Sequence, residues 1–143
     1  MNILVSCCLM GEPCRYDAAS KPDPAIRALE QEGHVLIPVC PEVMGGLPTP
    51  RPPAECQPDG RVVNREGADV TAAYRIGAQI ALGRAKEFGC PVAILKAKSP
   101  SCGNEEIYDG SFSRRLIPGM GVAARMLTEA GIRVLNETQL DQL

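Results

Sequence analysis

Three times along the chain, a helix-like stretch ends in glycine and an apolar run follows. Gln31-Glu32-Gly33 precedes His34-Val35-Leu36-Ile37-Pro38-Val39-Cys40. Glu87-Phe88-Gly89 precedes Pro91-Val92-Ala93-Ile94-Leu95-Lys96, and Glu129-Ala130-Gly131 precedes Ile132-Arg133-Val134-Leu135. Glycine just past the last helical turn tolerates the positive φ that closes a helix. With Asn2–Cys7 as a first strand, the predicted order is strand, helix, strand, helix, strand, helix, strand. Asp23-Pro24 reads as N-cap and first helical position, opening a helix to about Glu32 with Ile26 and Leu29 inward. A second helix is predicted from about Val70 to Phe88. Its polar stripe is Thr71, Arg75, Gln79 and Lys86, and its small apolar face is Ala73, Gly77, Ile80 and Ala81. The third is predicted from about Gly121 to Ala130, with Val122, Met126 and Leu127 inward. Near-continuous apolar strands alternating with helices predict an α/β fold. The expectation is a single Rossmann-like domain over residues 1–143, with a central, mostly parallel sheet of about four strands and helices on both faces. In such sheets ligands bind outside the carboxyl ends of the strands.

Two predicted strand-to-helix connections are long. Residues 41–69 are rich in proline and glycine and contain a hairpin candidate around Arg61-Val62-Val63-Asn64; residues 99–120 form the second. Loops beyond about 12–15 residues inside a domain of this size are usually functional or disordered. No apolar run approaches the ~20 residues of a membrane span. Met1-Asn2-Ile3-Leu4-Val5 has no positive leader region, so a cytoplasmic protein is expected. A net charge of −2, dispersed basic residues and 3% aromatics argue against a nucleic-acid partner, which needs phosphate neutralisation and stacking platforms. A small-molecule partner is expected, and the oligomeric state is left open.

Seven cysteines then change the picture, because an odd number cannot pair fully within one chain. In a reducing compartment such chains more often bind metals or do thiol chemistry. Cys8 follows the first predicted strand, Cys40 ends the second, and Cys102 lies just past the third. In a parallel sheet these positions share one edge. Three thiolates there suit a soft metal centre such as an iron–sulfur cluster, leaving one iron of a cubane without a protein ligand. A closed zinc site would need a fourth ligand, which Cys14 could supply. Cys7, Cys56 and Cys90 are expected as small buried hydrophobes. A thiol redox switch using Cys7, Cys8 or Cys14, and a persulfide carrier without metal, remain rival readings. Around the cysteines, Glu42 is a candidate acid or base. Ser99 and Ser101 flank Pro100, placed to bind a ligand or to cap the turn. Arg15 and Asp17 straddle Tyr16, placed to bind substrate or to pair with each other. Arg51 is held between Pro50 and Pro52, and His34 reads as structural.

Three stretches carry a family resemblance: residues 5–17 (Val-Ser-Cys-Cys-Leu-Met-Gly-Glu-Pro-Cys-Arg-Tyr-Asp), residues 38–51 (Pro-Val-Cys-Pro-Glu-Val-Met-Gly-Gly-Leu-Pro-Thr-Pro-Arg), and residues 98–103 (Lys-Ser-Pro-Ser-Cys-Gly). In this order, over nearly the whole chain, the sequence resembles the thiouracil desulfidase family. The resemblance implies a 4Fe-4S cluster held by Cys8, Cys40 and Cys102. It implies non-redox desulfuration of 2-thiouracil or another thiolated nucleobase to uracil and hydrogen sulfide, with substrate sulfur on the open iron. It implies catalytic roles for Glu42, activating water or relaying its proton, and for Ser101, hydrogen-bonding the ring or the leaving sulfur. Arg15, Asp17, Arg51 and Ser99 are the candidate substrate-binding residues. The chain departs from the family at Cys7, where a small residue is usual; Cys7 and Cys14 could compete with Cys8 for iron. Without iron, two of the cysteines are expected to form a disulfide.

Overall fold

A computed structural model of the chain describes residues 1–143. In chain order its elements are β1 (Asn2–Ser6), α1 (Pro24–Gln31), β2 (Val35–Val39), α2 (Pro41–Met44), β3 (Ala54–Cys56), β4 (Val62–Asn64), α3 (Thr71–Glu87), β5 (Val92–Leu95), β6 (Glu106–Tyr108), β7 (Leu116–Pro118), α4 (Val122–Glu129) and β8 (Arg133–Asn136). The four apolar strands form one parallel sheet in the order β2-β1-β5-β8. The fold is α/β, as predicted.

Side chains alternate across a strand, so each strand serves two cores. Ile3 and Val5 of β1, Val92 and Ile94 of β5, and Leu135 of β8 pack with Ile26 and Leu29 of α1. Leu4, Ile37, Val39, Ala93 and Leu95 face the other way, against Ala81 and Ala85 of α3 and Ala124 and Leu127 of α4. Covering both faces is what lets these strands be apolar throughout. From β1 the chain passes through α1 to β2 at the edge. It then crosses back through α3 to β5 on the far side of β1. The direction of winding therefore switches at β1, and the crevice outside its carboxyl end is where such sheets bind ligands.

The helix starts have the expected causes. The Asp23 carboxylate accepts the Ala25 N–H at 3.0 Å, with Pro24 as the first helical residue. The Asp69 carboxylate accepts the Thr71 N–H at 2.9 Å where α3 opens. The inner faces differ from expectation in detail. In α3 the buried stripe is Tyr74, Gly77, Ala78, Ala81 and Ala85, while Ile80 is exposed. Ile80 falls on the flank of that stripe, and the tight packing of α3 against α4 favours alanines over a branched side chain. For the same reason Ala123 and Ala124 are buried in α4 beside Leu127, and Val122 and Met126 are only half-buried. The hairpin expected near Val62 is β3–β4, antiparallel with Cys56 opposite Val62. A second hairpin, β6–β7, and the one-turn helix α2 were not expected. No helix is long and apolar enough to cross a membrane.

Helix α2 sits directly on α3 through glycine. A β-carbon at Gly77 would overlap the Pro41 carbonyl, and one at Gly45 would overlap the Ala73 carbonyl. Gly83, on the same helix, faces open space. Gly77→Ala is therefore expected to cost about 1–3 kcal/mol in urea unfolding through overpacking. Gly83→Ala should gain about 0.5–1 kcal/mol from reduced chain entropy. Equal effects from the two substitutions would show that the α2–α3 approach does not matter.

Candidate metal centre

The register Ser6↔Val39 between β1 and β2 makes their next residues leave the sheet side by side. After Ser6, Cys7–Met10 form one turn of 3₁₀ helix, closed by Gly11 at φ 97°. After Val39, Cys40 leads into α2 with Pro41 at its first position. Beyond β5, a tight turn presents Cys102. The Ser99 hydroxyl oxygen accepts the N–H groups of Ser101 and Cys102, both at 3.1 Å. The Ser101 carbonyl accepts the N–H groups of Ala123 and Ala124 at 2.9 and 3.1 Å, fixing the turn to the start of α4. The Ser6 hydroxyl bridges two of these loops, donating to Cys102 Sγ at 3.4 Å and accepting the Lys96 N–H at 2.9 Å.

These loops enclose a cavity of about 410 Å³. Cys8, Cys40 and Cys102 all line it, and so do Cys7 and Cys14. Cys7 was expected as a small hydrophobic filler. Instead it is disulfide-bonded to Cys14, because the chain turns back at Gly11 and brings residue 14 over residue 7. Cys90 is buried in the core as expected. Cys56 is half-buried outside the cavity, donating to the Pro100 carbonyl at 3.4 Å.

The donor chemistry fits an iron–sulfur cluster, since Cys8, Cys40 and Cys102 remain free thiols on one wall system. The sulfurs of Cys7, Cys14 and Cys40 all lie within 4.8 Å of one another, close enough to share a single ion. Burial pushes the Cys8 thiol up to about 11, with the neighbouring Cys40 adding to it, and pushes Cys102 up to about 12. Cys40 is also raised, chiefly by burial. A metal must therefore displace protons from all three thiols, which soft cations do at the cost of pH-dependent affinity.

Glu42 also lines the cavity and is held in place. Its carboxylate accepts from Arg51 Nε at 3.0 Å in an ion pair with little exposure on either side. Arg51 further donates to Thr49 Oγ1 at 3.0 Å, to the Pro48 carbonyl at 3.2 Å and to the Cys14 carbonyl at 3.0 Å. The Cys14 carbonyl also accepts from Cys40 Sγ at 3.6 Å. One guanidinium thus ties the loop after β1 to the loop after β2. Burial and the Glu42 carboxylate push the Tyr74 phenol upward, so Tyr74 stays a neutral donor beside Glu42.

The remaining candidates divide. Arg15 and Ser99 line the cavity, while Asp17 does not and stands 4.0 Å from Arg15. Ser101 is fully buried and is not part of the lining. Its hydroxyl is the only buried side-chain polar atom without a hydrogen-bond partner. His34 meets the terminal amine at 3.1 Å, far from the cavity. Sequence reasoning missed Glu55, Arg65, Lys96, Lys98, Phe112 and Arg114, which also line the cavity. Glu55 accepts the N–H groups of Gly110 and Phe112 at 2.9 and 3.1 Å, and Arg65 stacks on the Phe112 ring. Tertiary folding brings both long loops and the end of β5 together around the cavity, so no local spacing announced these groups. Basic residues outnumber carboxylates in the lining, whereas the whole chain is net negative.

Residues 3–139 match the family described as 2-thiouracil desulfurase. The chain is 41% identical over 150 residues to an uncharacterised Bacillus subtilis (strain 168) protein, YbbK, covering 99% of each. It is 46% identical to a solved structure described as the 4Fe-4S-dependent thiouracil desulfidase TudS, with a TM-score of 0.93 over 99% of this chain and 94% of that one.

The raised thiols carry a stability consequence for the metal-free protein. Above the ordinary thiol value of 9.0 the unfolded cysteines ionise, while Cys8 and Cys102 in the fold stay protonated to about 11 and about 12. The unfolded state then binds fewer protons, so stability falls as pH rises through this window. Urea melts from pH 8 to about pH 11 should show that decline, and Cys8→Ser and Cys102→Ser should flatten it. An equally steep decline in both variants would contradict it.

Proposed function

The chain belongs to the 2-thiouracil desulfurase family, and from that membership and the cavity's chemistry we propose that it removes sulfur from a thiolated pyrimidine such as 2-thiouracil. It is an enzyme acting on a carbon–sulfur bond. The products are uracil and hydrogen sulfide, with no net redox change, and the chain works as one domain over residues 1–143 in the cytoplasm. One observation carries the reading: three free thiols from three strand ends line one cavity beside a fixed carboxylate.

Cys8, Cys40 and Cys102 would hold a 4Fe-4S cluster, leaving one iron without a protein ligand. When bound, that cluster supplies a soft Lewis acid that attracts and polarises a thiocarbonyl sulfur. Glu42 is the acid–base group. Its carboxylate takes a proton from the water that attacks the thiocarbonyl carbon and passes a proton to the departing sulfur. Arg51 holds Glu42 in position through their ion pair, and Tyr74 gives it a neutral hydrogen-bonding neighbour. Val39, Pro41, Pro53 and Ala54 give the cavity apolar walls for a planar ring, and Arg15 and Ser99 face the same space. Asp17 acts through Arg15. Ser101 stands next to Cys102 with an unspent hydroxyl behind the cavity lining, and its role as a donor to sulfur requires the Cys102 turn to shift so that the hydroxyl reaches the cavity. An unpaired buried hydroxyl costs about 1–3 kcal/mol, which a ligand would recover.

A second reading rests on the close approach of Cys7, Cys14 and Cys40. With the disulfide reduced, these three thiolates would hold one zinc. The protein would then be a colourless zinc-binding module.

Anaerobic assay of sulfide release from 2-thiouracil tests the first reading. The protein reconstituted with iron and sulfide should turn over, and Cys102→Ser should not. Glu42→Gln should keep its colour and lose about 10²–10⁴-fold in kcat. Turnover undiminished in Glu42→Gln would remove Glu42 from the chemistry, and no sulfide from the coloured wild type would refute the substrate.

A further inference from the structure

We propose that the Cys7–Cys14 pair is a second sulfur site, which captures hydrosulfide as a cysteine persulfide. The disulfide lies in the wall of the cavity that holds Cys8, Cys40 and Cys102. Cys40 Sγ lies within 4.8 Å of both of its sulfurs. The pair thus opens directly on the space where sulfide would be released. That link to a sulfide source rests on the proposed desulfuration; the capture chemistry does not.

A disulfide is an electrophile toward any sulfur nucleophile, and exchange runs through attack on one of its sulfurs. Cys7 is 4% exposed, whereas Cys14 is only half-buried, so Cys14 is the sulfur open to attack. The next residue, Arg15, lines the cavity, as do Lys98 and Arg114, and these cations favour an anionic nucleophile there. Hydrosulfide attacks Cys14 Sγ and a new sulfur–sulfur bond forms. The Cys7–Cys14 bond breaks, and its electron pair leaves with Cys7 as a thiolate. The hydrosulfide proton stays on the terminal sulfur. The disulfide itself is the oxidant, so no other electron acceptor is needed. Disulfides in reducing compartments are usually transient and catalytic or redox-sensing, which suits this role.

Sodium sulfide is the probe. The full chain, purified without thiol reductant, is first mapped for the Cys7–Cys14 disulfide. It is then mixed anaerobically with sodium sulfide, alkylated and digested for mass spectrometry. The expected result is a gain of one sulfur on the Cys14 peptide, approaching one per chain. The gain should vanish in Cys7→Ser and in wild-type protein reduced and alkylated beforehand. The second control needs no substitution and so stands even if Cys7→Ser folds poorly. No disulfide in the isolated chain, no gained sulfur despite the disulfide, or an equal gain in the pre-reduced protein would each overturn the proposal. Sulfide is supplied directly, without cluster or thiouracil, so failure here leaves the desulfidase reading intact. Failure of the thiouracil assay likewise leaves this result standing.

Discussion

The parallel pairing of β1 with β2 on one side and β5 on the other is the constraint on which the site depends. It makes three strands end at the same edge, with Ser6 level with Val39 and Val5 level with Ile94. Cys8, Cys40 and Cys102 are far apart in sequence, and each comes just after one of these strand ends. A shift of one residue in either pairing would turn every side chain of the strand to the opposite face. Both faces of β1 are buried, so the core itself holds that register.

The loops beyond the sheet are held by fewer, more polar devices. Arg51 is the chief one. Removing a guanidinium and a carboxylate from water costs several kcal/mol, and the pair is sustained only if the remaining donors are satisfied. Here Arg51 also binds Pro48, Thr49 and Cys14, so the ion pair fixes Glu42 and two loops together. The glycine contact between α2 and α3 supports the same loop from below, because α2 follows directly on Cys40. The third loop is held separately, by the Ser99 turn and the first turn of α4. Each cysteine loop thus has its own anchor in the α/β frame, which lets the cavity keep its shape around these thiols.

Much of this was legible in the sequence. The glycine-then-apolar phrase marked β2, β5 and β8, Asp23-Pro24 marked α1, and the strand ends marked three of the five cavity cysteines. Other features were not. Ile80 looked like core because periodicity reports a face and not how closely two helices approach, and the alanines of α3 and α4 leave it no room. Cys7 read as filler because nothing local shows that Gly11 folds residue 14 back over it. Arg51 was recognisable as stiffly held, but its hold on Glu42 and Cys14 depends on tertiary structure. Glu55, Arg65 and Phe112 come from two hairpins whose mutual placement no spacing encodes.

The most direct test of the account is the iron content of the reconstituted chain, read with its visible absorption. The account predicts a brown protein with about four irons per chain, as expected for a cubane. That content should be lost in Cys8→Ser, Cys40→Ser and Cys102→Ser and kept in Cys7→Ser. A colourless chain after anaerobic reconstitution, or a cluster lost in Cys7→Ser and kept in Cys8→Ser, would contradict it.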